Sequence, residues 1–197
     1  MADVDGNEPV LANTEDQLVK ACQGGDPAAA EALVEQFWDR VYAYSYRLTM
    51  NATDAEDIAQ ETFFRALSKI QGYKPSEKFK SWLLRIATNI FVDQKKSPQR
   101  RDVQIGDLQD RAKTTEDPDQ VLSRQELFSA LQDAIATLTK EQQIVVLLRG
   151  VEHMDYPEIA SILETKESTA RWHMYEARRI LREKLSRRFE LESFADE

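Results

Sequence analysis

Cysteine is nearly absent from this sequence of 197 residues, which contains only Cys22. A single thiol excludes an internal disulfide framework and leaves no second cysteine for a thiolate zinc site, so a reducing cytoplasm is the default expectation. Glycine and proline are also scarce, with six of each. Because Ala, Leu, Glu, Gln, Lys and Arg are frequent instead, the composition favours an all-α fold.

A long apolar run is also missing, and the N-terminal stretch MADVDGNEPVLANTEDQ is acidic. This stretch resembles neither a signal peptide nor a membrane span, so we expect a cytoplasmic protein without membrane insertion. A hydrophobic content of 42% is enough for a buried core. The length allows one domain or two small ones.

Positive charge is in deficit overall but is concentrated in two segments. The formal net charge is −9, with 26 Lys and Arg against 35 Asp and Glu. Attraction depends on the charge of one face, so an acidic protein can still bind nucleic acid. The two segments contain Lys78, Lys80, Arg85, Lys95, Lys96, Arg100 and Arg101, and then Lys166, Arg171, Arg178, Arg179, Arg182, Lys184, Arg187 and Arg188. Solvated helix faces are the alternative explanation.

Capping signals divide the chain into helices. Helix starts are predicted at Thr14 with Gln17, Asp26 with Pro27, Thr53 with Glu56, Thr139 with Gln142, and Asp155 with Glu158. Helix ends are expected at Gly24–Gly25, Gly72 and Gly150. The stretch from residue 97 to residue 117 is polar, charged and poor in large apolar residues, which is typical of an interdomain linker. We therefore expect two helical domains.

The segment DAEDIAQETFFRALSKI, residues 54–70, places an aromatic residue among acidic and polar ones. One helical stripe contains Asp57, Gln60, Glu61, Phe64 and Ser68. An aromatic side chain ringed by polar residues favours a protein interface. The alternatives are an acidic first turn that suits the helix dipole, a solvated face, or a pair of metal-binding carboxylates. The metal alternative is the weakest, because the only histidines, His153 and His173, lie far along the chain.

The segment FKSWLLRIATNIFVDQKK is predicted to form the next helix. Its inward stripe is Phe79, Trp82, Leu83, Ile86, Ala87 and Ile90. That spacing makes Trp82 a core residue rather than an exposed ring. The outward residues are expected to be Arg85, Thr88, Asn89, Val92, Asp93 and Lys96.

The C-terminal part of the chain has the spacing of a helix-turn-helix. A short helix, YPEIASIL, is followed by the turn ETKES and a longer basic helix, TARWHMYEARRILREKL. Such a second helix can lie in the DNA major groove. A pair of amphipathic helices that serves only for packing remains the alternative.

Taken together, DAEDIAQETFFRA, FKSWLLRIATN and YPEIASIL followed by STARWHMYEARRIL resemble the extracytoplasmic function (ECF) group of bacterial RNA polymerase sigma factors. The resemblance implies two small helical bundles, sigma2-like at residues 14–97 and sigma4-like at residues 118–187. It leaves an acidic tail at 1–13, a linker at 98–117 and an acidic tail at 188–197. It also implies a dissociable promoter-specificity subunit that has no catalytic residues, no metal and no cofactor.

The resemblance assigns partners and roles. Core RNA polymerase is expected to contact the chain through its beta-prime clamp helices and its beta flap, with promoter DNA and an anti-sigma factor as further partners. The clamp helices would meet Asp57, Gln60, Glu61 and Phe64. The minus-ten element would meet Tyr73 as a stacking surface, Lys74, Lys78 and Lys80 near phosphates, Asn89 and Asp93 as base readers, and Lys96. The minus-thirty-five element would meet Ser168, Thr169, Arg171, Trp172, Tyr175, Glu176, Arg178, Arg179 and Arg182.

The chain departs from the family pattern at several positions. Glu164 stands in the helix-turn-helix turn, where the family usually has glycine, and His173, Met174 and Glu176 stand where Arg or Lys is frequent. Glu176 has two explanations, acceptance of a hydrogen bond from cytosine or a surface pair with Arg179. For the whole chain, a stand-alone helix-turn-helix regulator and a helical protein-binding adaptor are the alternatives to a sigma factor.

Overall fold

The computed structural model describes residues 15–74, 78–94 and 129–189, and the regular structure in these ranges is helical. The helices are α1 (Glu15–Gln23), α2 (Pro27–Thr49), α3 (Ala52–Lys69), α4 (Phe79–Gln94), α5 (Lys140–Val146), α6 (Tyr156–Ile162) and α7 (Glu167–Phe189). A 3-10 turn (Ile70–Gly72) follows α3, a π-helical turn (Leu147–Val151) follows α5, and residues 129–136 are also helical. The predicted all-α fold is confirmed.

Some sequence predictions lie outside the described residues. These are Thr14, the N-terminal tail at 1–13, the linker at 98–117 and the part of the C-terminal tail after Phe189. The predicted domain limits therefore stay predictions. Across residues 15–74, 78–94 and 129–189, no helix is both long enough and apolar enough to cross a membrane.

Helix α2 begins as its sequence predicts. Asp26 is the N-cap, its Oδ1 accepts a hydrogen bond from the Ala28 amide at 2.9 Å, and Pro27 opens the helix. The cap satisfies one of the amides that a helix start leaves without an intrahelical partner. Met50 ends the helix in a left-handed conformation, with φ of 54°, and its amide donates to the carbonyl oxygen of Tyr46.

The start of α3 differs from its prediction. Asn51, not Thr53, is the N-cap, and its side chain accepts a hydrogen bond from the Asp54 amide at 3.0 Å. Asparagine is among the best capping residues, and one placed two positions earlier lets the helix take in Thr53. The predicted cap by Thr53 with Glu56 is therefore wrong.

The short helices of the C-terminal part agree only partly with their predicted start and end residues. Thr139 and Gln142 form the predicted capping box. Gly150 lies inside the π-helical turn that continues α5, so it does not end the helix as expected. Asp155 is the N-cap of α6, but its side chain makes no capping hydrogen bond and instead pairs with Arg149, whose Nη1 is 3.3 Å away.

The first hydrophobic core lies within α1 to α4. Its buried residues are Leu18, Val19, Cys22, Ala29, Leu33, Phe37, Val41, Ala59, Phe63, Ala66, Ile70, Tyr73, Phe79 and Leu83. Full burial of one such large side chain stabilises the fold by about 1.5–3 kcal/mol. Helix α3 thereby buries the stripe opposite its acidic face.

The second hydrophobic core is shared by the two parts of the chain. It contains Tyr44, Leu48, Ile58, Leu84, Ala87, Ile90 and Phe91 from α2 to α4, and Ile144, Val145, Leu147, Leu148, Met154, Ile159, Ala160, Ile162, Ala170 and Met174 from the C-terminal part. The helix-turn-helix unit, residues 140–189, therefore packs directly against α4.

Helix α1 holds the segment that connects α3 to α4. The Gln23 Nε2 donates hydrogen bonds to the carbonyl oxygens of Ile70, at 2.8 Å, and Tyr73, at 3.1 Å. The Glu15 Oε1 accepts a hydrogen bond from the first amide of α4, that of Phe79, at 3.1 Å. These bonds satisfy backbone groups that a turn would otherwise expose to water.

Candidate functional site

The acidic stripe of α3 forms one continuous outer face, which we call the α3 face: Asp57, Gln60, Glu61 and Phe64. Phe64 is 69% exposed, while Ala59 and Phe63 on the opposite side are buried. A phenylalanine this exposed gains nothing from the core and leaves a large apolar surface in water. The structure therefore brings the predicted residues together as a surface fit for a protein partner.

Local pairs organise the α3 face. The Arg65 Nε donates to the Glu61 Oε1 at 2.6 Å, one helical turn away, and the Gln60 Nε2 donates to the Glu56 Oε1 at 3.2 Å. Surface pairs of this kind are worth at most about 1 kcal/mol. A partner cation can therefore replace Arg65 at modest cost.

A groove continues from the α3 face onto α4. It is lined by Asp57, Gln60, Glu61, Phe64, Arg65, Ile90 and Asp93. Asp93 was predicted to read a minus-ten base, and Asn89, one turn earlier, is exposed on the same helix. The predicted docking and base-reading residues thus lie side by side.

Thr88 was expected to face outward on α4, and this prediction is wrong. Thr88 is only 1% exposed, its hydroxyl oxygen lies 2.7 Å from the Tyr44 hydroxyl, and it donates to the carbonyl oxygen of Leu84. Burial raises the pKa of Tyr44, which keeps its hydroxyl protonated and able to bond to Thr88. The second core covers this part of α4, and helical spacing alone could not reveal that cover.

Tyr73 was predicted to offer a stacking surface for an extruded base, which the structure contradicts. The ring is 5% exposed and packs edge-on against Phe79, with centroids 5.3 Å apart, and against Trp82 at 5.1 Å. A buried ring held by two aromatic neighbours presents no free face. The prediction that Trp82 packs rather than stacks on DNA agrees with these contacts.

The predicted phosphate-binding lysines differ in accessibility. Lys74 and Lys78 are exposed at the two ends of the segment before α4. The Lys80 side chain is only 22% exposed, and its Nζ lies 3.6 Å from the Glu152 Oε2 and donates to the Glu152 carbonyl oxygen at 3.0 Å. Lys96 lies outside the described residues.

The second predicted DNA surface lies along α7. Ser168, Arg171, Trp172, Tyr175, Arg178, Arg179 and Arg182 are exposed, and Thr169 and Glu176 are half-buried. Ala170, Met174 and Ala177 are buried against the bundle. Trp172 and Tyr175 are 55% and 66% exposed. The helix thus presents two aromatic rings within a row of arginines.

Arg171 is held in place by two neighbours. Its Nε donates to the Glu167 Oε1 at 2.9 Å, and its guanidinium carbon lies 4.4 Å from the centre of the Tyr156 ring in α6. A guanidinium over an aromatic face is attracted by the ring quadrupole. These contacts restrict the rotamers of the side chain predicted to grip a base edge.

Glu176 forms the surface pair that was one of its two explanations. The Arg179 Nη2 donates to the Glu176 Oε2 at 2.9 Å, and this hydrogen bond raises the pKa of Arg179. Tyr175, Arg178, Arg179 and Arg182 line a groove beside this pair.

The turn between α6 and α7 keeps the backbone shape that glycine would favour. Glu164 adopts a φ of 50°, in the left-handed region. For a residue with a side chain this conformation costs roughly 1–2 kcal/mol. Glu164 therefore carries strain in this turn.

Sequence reasoning missed Glu152, which belongs to neither predicted site. Its side chain is 5% exposed, and Oε2 lies 3.6 Å from both the Lys80 Nζ and the Arg40 Nε. An isolated glutamate after a turn carries no sequence signal for burial. Within residues 15–74, 78–94 and 129–189, no three His, Cys, Asp or Glu side chains lie together as a metal site would require.

Two helical units, one with an exposed aromatic-acidic face and one with a basic helix-turn-helix, define a protein of the transcription-factor class. The sequence matches two known families, Sigma-70 region 2 over residues 33–101 and Sigma-70, region 4 over residues 128–181.

Relatives extend over most of the chain. It is 37% identical to the ECF RNA polymerase sigma factor SigE of Mycolicibacterium smegmatis, over 83% of this chain and 65% of that protein. It is 30% identical to the RNA polymerase sigma factor YlaC of Bacillus subtilis, over 80% of this chain and 92% of that protein. The ECF sigma factor SigW of B. subtilis is 29% identical, with 85% and 94% covered. The chain thus spans about two thirds of the mycobacterial protein's length and nearly all of the other two. It belongs to the ECF group of RNA polymerase sigma factors, as its sequence predicted.

Solved structures agree on the fold. CnrH, in complex with the cytosolic domain of CnrY, matches with a TM-score of 0.64 at 22% identity, over 86% of this chain and 96% of that one. The sigma factor RpoE of Bartonella quintana, in complex with the anti-sigma factor NepR, matches with a TM-score of 0.59 at 20% identity, with 79% and 96% covered.

Proposed function

We propose that this chain binds core RNA polymerase and directs promoter-specific transcription initiation in the cytoplasm. It performs no chemistry itself, since the polymerase makes the RNA and the sigma factor positions and opens the promoter. The observation that carries the proposal is the exposed Phe64 in an acidic face, on a helix within the region 2 match. The names of the relatives support the same function.

The α3 face docks on the beta-prime clamp helices, and the helix-turn-helix unit contacts the beta flap. Phe64 is the apolar anchor, and Asp57 and Glu61 meet basic side chains around it. Buried aromatic anchors with a polar rim carry most of the energy in such interfaces. Arg65 releases Glu61 to the partner, because its surface pair is weak.

The exposed part of α4 and the segment before it read the minus-ten element. Asn89 has an amide that donates to and accepts from one base edge, and Asp93 accepts from cytosine or adenine amino groups. Lys74 and Lys78 are exposed and bind phosphates. Lys80 and Lys96 are further cations for the minus-ten element.

Helix α7 reads the minus-thirty-five element in the major groove. Arg171 grips guanine, and Trp172 and Tyr175 contact thymine methyl groups, which apolar side chains recognise. Arg178, Arg179 and Arg182 bind phosphates, and Ser168 and Thr169 do so from the start of the helix, where backbone amides attract anions. Glu176 orients Arg179.

An anti-sigma factor is the regulatory partner. The two structural neighbours named above are in complexes with other proteins, and the partner of the sigma factor RpoE is named as an anti-sigma factor. Exposed apolar groups such as Phe64 and Trp172 are suited to bind such an inhibitor in the absence of polymerase.

Charge reversal on the α3 face tests the proposed docking. The double variant Asp57→Arg, Glu61→Arg is expected to lose at least roughly tenfold in affinity for core polymerase, because both carboxylates face the partner. The matched control is Glu31→Arg, Glu35→Arg, which makes the same charge change on exposed positions of α2. Binding is measured by fluorescence anisotropy of the labelled full chain, with helicity checked by circular dichroism. Full binding by the folded α3 variant would refute the docking site.

Base reading by Arg171 is tested on holoenzyme with a library of single-base minus-thirty-five variants. Arg171→Ala is expected to lose about 1–3 kcal/mol of discrimination at one base pair, the value of a bidentate contact to guanine. Arg178→Ala, the control for a phosphate contact, is expected to weaken all sequences alike. An equal loss on every sequence for Arg171→Ala would place that side chain on the backbone.

A further inference from the structure

Glu152 is a carboxylate that the helix-turn-helix unit buries against the other half of the chain. Its side chain is 5% exposed, and within the described residues its Oε2 receives no hydrogen bond. A buried carboxylate is costly unless cations compensate it. Its compensation comes from two cations of the other half, Arg40 in α2 and Lys80 in α4, each 3.6 Å from Oε2.

The contact with Lys80 involves backbone as well as side chain. The Lys80 Nζ donates a hydrogen bond to the Glu152 carbonyl oxygen at 3.0 Å, so its ammonium group faces both acceptors of one residue. A second contact lies further along α4, where the Arg85 Nη2 donates to the Ser161 hydroxyl oxygen at 3.2 Å. Two cations of the predicted minus-ten segment are thus engaged by the helix-turn-helix unit.

We propose that Glu152 is an internal competitor of promoter phosphate: in the free chain it holds the helix-turn-helix unit closed over α4 and occupies Lys80. Carboxylate and phosphate oxygens are alternative partners for the same ammonium group. Lys80 binds DNA only after the two units separate. The closure itself does not depend on the proposed function. Only the DNA-binding part of this inference rests on the proposed role of Lys80.

Closure does not cover the polymerase-docking surface. Phe64 stays 69% exposed in the closed arrangement, and Asp57 and Gln60 are exposed beside it. The closed chain is therefore competent for the polymerase but not for Lys80-dependent DNA contact. Core polymerase binds first, and opening frees Lys80 for DNA afterwards.

Opposing contributions at the interface set the balance between the closed and the open state. Apolar side chains of the shared core, such as Leu84, Phe91 and Leu148, favour closure. The buried Glu152 favours opening if it loses either cation, since water then solvates the free carboxylate. Loss of Arg40 leaves Glu152 buried with one cation fewer, and neutralising Glu152 removes the attraction that holds Arg40 and Lys80 to the helix-turn-helix unit. Either change is therefore expected to shift the equilibrium toward the open state.

Small-angle X-ray scattering of the free full-length chain tests closure without any reference to DNA. Glu152→Gln and Arg40→Gln are each expected to raise the radius of gyration. Their controls make the same change at exposed positions nearby, Glu141→Gln in the first turn of α5 and Arg47→Gln in α2, and are expected to leave it unchanged. Arg40→Gln serves as the second variant if Glu152→Gln proves unstable, since the Arg40 side chain is 55% exposed.

Binding of a mixed-sequence single-stranded DNA of about 20 nucleotides, longer than the roughly 4–16 nucleotides of one single-strand site, tests the competition. Glu152→Gln is expected to bind several-fold more tightly than the native chain, beyond the gain shown by Glu141→Gln. Lys80→Gln is expected to change little in the native background but to remove the gain in the Glu152→Gln background.

The outcomes separate the closure from the proposed function. Equal radii for all five proteins would overturn the closure itself. An increased radius with no gain in DNA binding would keep the closure and overturn the role of Lys80. Equal losses from Lys80→Gln in both backgrounds would show that Lys80 is already free, which overturns the competition.

Discussion

The α3 face and the inner part of α4 are neighbours in one helical unit, yet they are in opposite states. Phe64 on α3 is 69% exposed, whereas Thr88 on α4 is 1% exposed and Lys80 is paired with Glu152. Both helices carry an apolar stripe for the first core. They differ because the helix-turn-helix unit packs on α4 and leaves the α3 face uncovered.

This difference shows that the exposure of a helical face is set by its neighbours as much as by its own periodicity. On α3 the polar stripe stays polar and open, so its sequence and its surface agree. On α4 the second stripe mixes Thr88 and Val92 with charged residues, and the second core takes up part of it. A mixed stripe of this kind fits both a DNA-reading surface and an intramolecular interface.

The largest effect is expected at the exposed Phe64. Phe64→Ala is expected to weaken binding to core polymerase by about 2–4 kcal/mol, the range of an interface hot spot. The thermal midpoint should hardly change, because the ring is mostly in water already. Isothermal titration with core polymerase measures the loss, and Tyr175→Ala, which removes an exposed ring from α7, is the control. An equal loss of affinity in both variants would show that Phe64 is not the anchor of the docking surface.

A smaller effect is expected at the covered Thr88. Thr88→Val is expected to lower the free energy of unfolding by about 1–3 kcal/mol, because it leaves the buried Tyr44 hydroxyl without its partner. Tyr44→Phe removes the same bond but leaves Thr88 bonded to the Leu84 carbonyl, so its cost should be nearer 1 kcal/mol. Urea denaturation of the full chain gives both values. If Thr88→Val lowers the free energy of unfolding no more than a surface substitution does, Thr88 is not buried as described.

The smallest effect concerns the unit that does the covering. Glu164→Gly is expected to raise the free energy of unfolding by roughly 1 kcal/mol, because glycine adopts a φ of 50° without the steric cost of a side chain. Glu158→Gly, inside α6, should lower it by about 1 kcal/mol because glycine disfavours helix interiors. Thermal unfolding followed by circular dichroism compares the two. Loss of stability in both variants would contradict the strain assigned to the turn.

Local signals predicted the parts of the fold that depend on neighbours in sequence. The caps at Asp26 and Thr139 need only a side chain within reach of its own helix start, so the sequence is sufficient to find them. Helical periodicity likewise placed the α3 face. The docking and reading roles themselves rest on the family and remain proposals.

The misplaced residues depend on contacts between distant segments. Tyr73 is buried by Phe79 and Trp82, and Thr88 by Tyr44, which lies 44 positions earlier. Glu152 pairs with a lysine 72 positions away. No spacing rule within one helix contains such information, because it arises only when helices pack.

Helix α1 has a consequence for how much of the chain makes a usable protein. The region 2 match begins at residue 33, after α1 has ended, so a minimal fragment drawn from that match would omit Glu15 and Gln23. Those side chains brace the α3–α4 connection through hydrogen bonds to the Tyr73 carbonyl oxygen and the Phe79 amide. Such a fragment would also cut into α2, which begins at Pro27, and would lose the brace that sets where α4 starts. Fragments for biophysical work are therefore better begun ahead of Glu15.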